Sequence, residues 1–347
     1  MNKNPENYVL IYRFKLLFRV FILLFGLLSS YNSFAQKKDT NYIAQFYRPY
    51  NIQLNSWLNN FDFYINPPRF SNSRELLKLS PNLSWQTGVS LGLKYFTVSL
   101  GVQVPGTNGD EKTFGRTNFY DFSFSYYQSR WGGEIYSRSF SGIYRTLGVD
   151  TNLSIRPDVK ILANGLNLFY NFNHRKFSYR SALSMAEFQR KSSGAMLMMC
   201  NLGFKSIQAD SSLIPPNIDS KQNYGELSQM NHLRLWHINF RPGYAYNFCF
   251  KGGTWFISPS AFLGLGLASF MVVNPTTTKK GINFDADTHA KLSMGRNGDQ
   301  YFWNVFVNYD ASLNAFGYPN FVAFQSTSFG FNIGYRFYRL IPKIKWL

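Results

Sequence analysis

The sequence predicts an all-β fold, a transmembrane antiparallel β-barrel of about twelve strands, on three observations. Aromatic residues make 19% of the 347-residue chain (35 Phe, 23 Tyr, 7 Trp), whereas charged residues make only 16%, well below the roughly 25% typical of soluble domains. Mean hydropathy is −0.22, so the apolar residues are diluted by polar ones and do not form the runs of about 20 that helical membrane spans require. The apolar residues recur with a period of two, which gives a strand one apolar and one polar face.

The N-terminus reads as an export signal. Lys3, Arg13, Lys15 and Arg19 precede the apolar run Val20 to Leu28, and Ser33-Phe34-Ala35 supplies small residues for cleavage before Gln36. The formal charge of +18 falls to +15 once residues 1–35 and their four basic residues and Glu6 are removed. An exported chain without a basic block or recognition motif is not a nucleic-acid binder. Anionic lipid headgroups or small anionic solutes fit the charge better. The two cysteines, Cys200 and Cys249, support neither a disulfide scaffold nor a cysteine metal site.

Residues 36–49 form a polar leader expected to stay in the periplasm, outside the barrel. From Tyr50 the alternation begins. Trp85, Val89, Leu91 and Leu93 oppose Gln86, Gly88, Ser90 and Gly92. Phe122, Phe124 and Tyr126 oppose Asp121, Ser123 and Ser125, and Phe329, Phe331, Ile333, Tyr335 and Phe337 oppose Ser328, Gly330, Asn332, Gly334 and Arg336. In a soluble sandwich the outer faces would be rich in Lys, Glu and Thr. Here the polar face is Gly, Ser and Asn, which suits a barrel interior, and the apolar face suits lipid.

Twelve segments satisfy the pattern: 50–65, 84–93, 95–104, 117–128, 131–140, 161–172, 176–187, 194–209, 233–248, 254–271, 300–315 and 322–337. Long and tight connections alternate early, as external loops and periplasmic turns should. The rule fails at 210–232 and 272–299, long where short turns are due. A missed pair of strands, including 285–294, would make fourteen. Phe337 ends the last strand on an aromatic of the kind read by the barrel-assembly machinery, and residues 338–347 form a basic tail.

The segment GLNLFYNFNHRKFSYRSALSMAEFQRKSSGAML within Asn164 to Leu197, the leader KKDTNYI at Lys37 to Ile43, and Gln208-Ala209-Asp210-Ser211-Ser212-Leu213-Ile214-Pro215 resemble a family of exported barrels from bacteroidete-type bacteria, known only as a domain of unknown function. The resemblance implies an outer-membrane barrel and supplies no activity and no site residues.

The polar faces carry the only constellation with functional content. Lys94, Arg138, Arg180, Lys205, Arg241 and Arg336 share the inward direction with Asp121, Glu134 and Asp310, and His237 shares it with Arg241. This set predicts a net positive lumen, read either as cross-interior pairing that rigidifies a closed barrel or as a narrow passive pore for small anions. Phe119, Tyr127, Tyr136, Phe169 and Phe306 on the same face favour a narrow bore.

The enzyme alternative is an outer-membrane acyl hydrolase, phospholipase-like. It lacks a Gly-x-Ser-x-Gly elbow, His232 and His237 face opposite sides, and His289 falls in an irregular loop. Asp285 and Asp287, with Asp299, lack the Gly and Glu of a calcium loop. Neither catalytic residues, a cofactor nor a metal is expected.

Overall fold

The structure is a computed structural model that describes residues 38–65, 76–147, 153–216, 224–316 and 320–338. The expected signal segment 1–35 and tail residues 339–347 lie outside them. Twelve strands close into a ring: β2 (Tyr50–Ile65), β4 (Gln86–Leu93), β5 (Phe96–Gln103), β6 (Asn118–Tyr127), β7 (Trp131–Leu147), β8 (Ser154–Asn171), β10 (Ser193–Gln208), β11 (His232–Phe250), β12 (Trp255–Val273), β13 (Thr278–Asn297), β14 (Tyr301–Ala315) and β15 (Phe321–Phe337). Each pairs antiparallel with its neighbour, and β15 pairs with β2 to close the barrel. Closure leaves no sheet edge, the condition for a β-protein in lipid.

The outward face is apolar and open. Leu263, Leu265 and Phe284 are 73%, 74% and 81% exposed, a burial pattern that makes sense only against hydrocarbon. From Trp255 to Leu267 the outward face of β12 rises roughly 30 Å at about 3.3 Å per residue and a 40° tilt, enough to cross a bilayer core. Aromatic pairs, Trp255 with Trp303 and Tyr301 with Tyr335, mark the end where β2 begins and β15 finishes, the terminal end of the barrel.

The strand total of twelve holds, but two members of the expected set change places. Segment 176–187 is not a wall strand, although Phe177, Tyr179, Leu183 and Met185 alternate with Ser178, Arg180 and Ser184. Its apolar face is buried, with Phe177 at 0% and Tyr179 at 4%, and it folds inside as a short helix (Arg180–Leu183) and a strand β9 (Glu187–Gln189). Conversely, 272–299 contains β13, paired along its length with β12. With these corrections 209–231 becomes a long connection at the end opposite the termini, where long ones belong, and 251–254 and 298–300 are tight turns. The one long connection at the terminal end is 172–192.

A short strand β3 (Leu77–Ser80) adds asymmetry. It pairs with β2 on one side and β7 on the other, so at the end away from the termini the ring bypasses the short strands β4 to β6. Here the interior is packed with apolar side chains, where the sequence predicts a polar lining narrowed by a few inward aromatics. Phe61, Phe63, Phe140, Ile207, Leu233 and Phe324 meet Leu213, Ile214, Tyr224 and Leu227 of the 209–231 connection in one cluster. Part of the aromatic excess is therefore a core and not a lipid-facing wall.

The leader also departs from expectation. Strand β1 (Ile43–Gln45) pairs antiparallel with β9, and Ile43 is only 2% exposed.

Candidate functional site

Alternation on the wall strands sends large polar side chains inward between the two filled ends. Small residues opposite make room for them. A side chain at Gly203 would collide with the His237 ring, and one at Gly264 with Asp287 and Arg241, so these glycines seat the inward groups of neighbouring strands. The result is a chamber of about 320 Å³ lined by, among others, Asp121, Glu134, Arg138, Lys205, His237, Arg241, Lys291 and Asp310. A second cavity of about 230 Å³ adjoins it and shares Trp57, Asp121, Tyr127, Glu134, Lys291 and Phe306.

Most charges in the chamber are answered by a partner. Arg241 grips Asp287 with two hydrogen bonds, Nε to Oδ1 at 2.7 Å and Nη2 to Oδ2 at 2.6 Å. Such two-point contact is the strong guanidinium geometry. Asn239 donates to both Asp285 (2.9 Å) and Asp287. His289 Nδ1 lies 2.6 Å from Asp310 Oδ1, and Arg138 Nε lies 3.4 Å from Asp121 Oδ2. Lys205 donates to Ser312 Oγ at 2.5 Å. His237 Nε2 donates to Asn201 Oδ1 at 2.7 Å, and Asn201 donates on to Asn167. Lys291 lies over the Phe306 ring at 5.7 Å.

Seven of the ten sequence-predicted residues come together in this chamber: Asp121, Glu134, Arg138, Lys205, His237, Arg241 and Asp310. Three do not. Lys94 is exposed in the turn between β4 and β5, at a positive φ of 40°, and its ammonium lies over the Tyr95 ring, so it lines no lumen. Arg180 and Arg336 are buried at the terminal end, at 3% and 1% exposure, in the layer that closes the barrel there. The expected net positive lumen is corrected with them. Arg138, Lys205, Arg241 and Lys291 face Asp121, Glu134, Asp285, Asp287 and Asp310, four cations against five carboxylates.

Sequence reasoning missed Asp285, Asp287, His289 and Lys291 because it missed β13. Their signal was present: Asn283, Asp285, Asp287, His289, Lys291 and Ser293 keep a strict period of two, but their alternates include Ala286, Thr288 and Ala290, too small to read as a lipid face. Among the described residues no group of three or more His, Cys, Asp or Glu is placed to hold a metal.

The terminal end is closed by the 173–192 segment, tied to the wall around the ring. Asn171 on β8 donates to Phe177 O (2.9 Å), and Asn247 on β11 donates to Ser178 O and Ser181 Oγ (both 2.9 Å). Asn297 on β13 donates to Glu187 O (2.9 Å), Arg336 on β15 to Met185 O (2.5 Å), and Gln53 on β2 to Ser184 O (3.4 Å). Arg180 reaches Lys94 O between β4 and β5 and pairs with Glu187 at 2.8 Å. Arg336 also stacks on Phe46 and Phe302, at 3.6 and 4.1 Å.

A closed, even-stranded antiparallel ring with a lipid-facing apolar band defines an integral β-barrel of the bacterial outer membrane. The chain belongs to the family described as Domain of unknown function (DUF4421), whose profile matches residues 37–337. No curated protein matches it in sequence. Similar solved structures include the outer membrane protease OmpT from Escherichia coli (6% identity, TM-score 0.37, covering 83% of this chain and 96% of that one). The outer membrane protein OmpT of Vibrio cholerae is 9% identical (TM-score 0.31, 83% and 97% covered). The Pseudomonas putida toluene transporter TodX is 8% identical (TM-score 0.30, 84% and 91% covered).

Proposed function

We propose that the protein is a closed, non-conducting barrel of the outer membrane with a structural role and no enzymatic activity. The observation that carries this reading is the 173–192 segment, anchored to strands all around the ring at the terminal end. The apolar cluster supports it at the other end, and the balanced charges of the chamber favour internal pairing over an anion path. The Arg241–Asp287 pair, 11% and 1% exposed and joined by two hydrogen bonds, already has its charges satisfied within the wall. The test is electrical: purified full-length protein in planar bilayers is expected to be silent. Discrete conductance steps from the wild-type chain would overturn the closed reading in favour of a narrow passive pore.

Acyl hydrolysis is the second reading, on one observation. On the outward face Ser206 Oγ lies 3.1 Å from His232 Nε2. Yet Arg234 Nε donates to that same nitrogen at 3.1 Å, which occupies the lone pair a general base would use on the serine proton. No acyl release from micellar phospholipid is expected. Release by the wild type that disappears in Ser206→Ala would establish the hydrolase.

A further inference from the structure

The outer surface away from the termini changes chemistry in rows, which strand pairing makes explicit. In the outermost row Lys160 on β8 aligns through Gln208 on β10 with His232 on β11. In the next row Arg234 on β11 aligns through Met271 on β12 with Lys280 on β13. One step further from the rim, Phe204 and Trp236 stand side by side at 4.5 Å between ring centres, with Trp236 46% exposed. Beyond them the outward face is aliphatic and aromatic: Leu202, Ile238, Leu267 and Phe284. A surface that runs from basic through a tryptophan to hydrocarbon-facing residues follows the polarity profile of one membrane leaflet.

We propose that Lys160, Arg234 and Lys280 form a docking surface for a phosphorylated lipid of the outer leaflet, its phosphate monoester held by the basic rows and its acyl chains lying on the wall below. The Arg234 row stands about 5 Å above the aromatic pair and the Lys160 row about 10 Å, at roughly two and four residues of tilted strand, the height range of a lipid headgroup. Arg234 is held at Nε by His232, and its two terminal amino groups make no hydrogen bond within the described residues. That leaves the two-point donor edge a phosphate takes. No carboxylate occupies an outward position in these two rows on β8, β10, β11, β12 or β13. Asp158 is already paired with Arg156 at 2.8 Å, and Asp210 lies beyond the end of β10. At the opposite rim, outward positions of β11 to β15 are aromatic and aliphatic, with Arg296 the one charge among them. Apart from 172–192, the long connections lie on the basic side, which orients it outward from the cell.

The experiment is native mass spectrometry of the full chain released from maltoside micelles, with two probes: bis-phosphorylated lipid A and the same lipid with both phosphates removed. Wild-type protein is expected to retain the phosphorylated lipid at least tenfold over the dephosphorylated one. Arg234→Ala/Lys280→Ala is expected to lose that retention about tenfold, Lys160→Ala two- to fivefold, and Arg296→Ala not at all, each with the heat-modifiable gel mobility of a folded barrel. Equal retention of both lipids by the wild type, or undiminished retention by the double variant, overturns the proposal. Displacement of the lipid by an equal concentration of inorganic phosphate overturns the lipid as occupant. The outcome is independent of whether the barrel conducts.

Discussion

The two ends of the barrel interior are packed by opposite chemistries. Away from the termini the 209–231 connection fills the bore with Leu213, Ile214, Tyr224, Leu227 and Met230, all at 0% exposure. At the terminal end the 173–192 segment is held by side-chain amides and guanidinium groups reaching backbone carbonyls. Apolar closure is non-directional, and its strength scales with area removed from water. Polar closure depends on each donor meeting its acceptor, and it fails locally when one is lost. The same bore thus carries one end that belongs to the global fold and one that can be loosened by itself.

Breaking the apolar end should produce the largest effect. Phe63 and Leu227 are fully buried in one cluster, and truncating each to alanine costs about 2–5 kcal/mol from lost burial and the cavity left behind. Phe63→Ala/Leu227→Ala is expected to lower the urea midpoint of the whole barrel in a detergent refolding titration, while planar bilayers stay silent because the terminal end is untouched. Conductance in this variant would mean that the 173–192 segment does not seal the bore.

Breaking the polar end should show the reverse pattern. Arg180→Ala removes a guanidinium partner of Glu187, whose side chain is 1% exposed, while Ser178 Oγ still donates to that carboxylate at 2.6 Å. Removing one member of a buried ion pair costs about 3–5 kcal/mol, here confined to the docking of 173–192. The expected readouts are new trypsin cleavage at Lys176 or Arg190 and the appearance of bilayer current, with the urea midpoint of the barrel nearly unchanged. Arg180→Ala/Glu187→Gln should recover much of the protection, since both charges of the pair are removed together.

How much of this was legible in the sequence follows the same division. The lipid-facing wall was readable because period two, with large aromatics on one face and Gly, Ser and Asn on the other, recurs strand after strand, as in Phe329 to Phe337 on β15. The polar chamber was readable wherever its strands were, so Arg138, Asp121 and Arg241 were found. The terminal closure was not, because Phe177 to Met185 carries the same alternation as a wall strand; periodicity tells that a face is apolar but not whether lipid or protein covers it. Strand β13 failed for the complementary reason, its small outward residues giving too weak an apolar face. The apolar filling of the other end escaped because Phe61 and Phe63 sit on the same face of β2 as Asn51, Gln53 and Asn55, and only the third dimension separates a strand's two halves.

The finest probe of the comparison is Asn247, buried at 1% on β11. Its amide donates to Ser178 O and Ser181 Oγ, and its Oδ1 accepts from Ser258 Oγ at 2.6 Å, so one side chain joins the closing segment to two wall strands. Asn247→Ala strips a donor from the Ser178 carbonyl and from the Ser181 hydroxyl oxygen, and an acceptor from the Ser258 hydroxyl, at about 1–3 kcal/mol for groups left without partners. The cost falls on the docked segment and not on the β11 ladder, whose backbone bonds remain. Hydrogen exchange of the Phe177–Leu183 amides should therefore speed up roughly tenfold or more, while amides of β11 and β12 keep their protection. Asn247→Asp keeps the acceptor for Ser258 but loses both donors, so it should accelerate exchange at least as much as alanine. Protection that survives in the aspartate variant would show that shape, and not donation from Asn247, holds the segment in place.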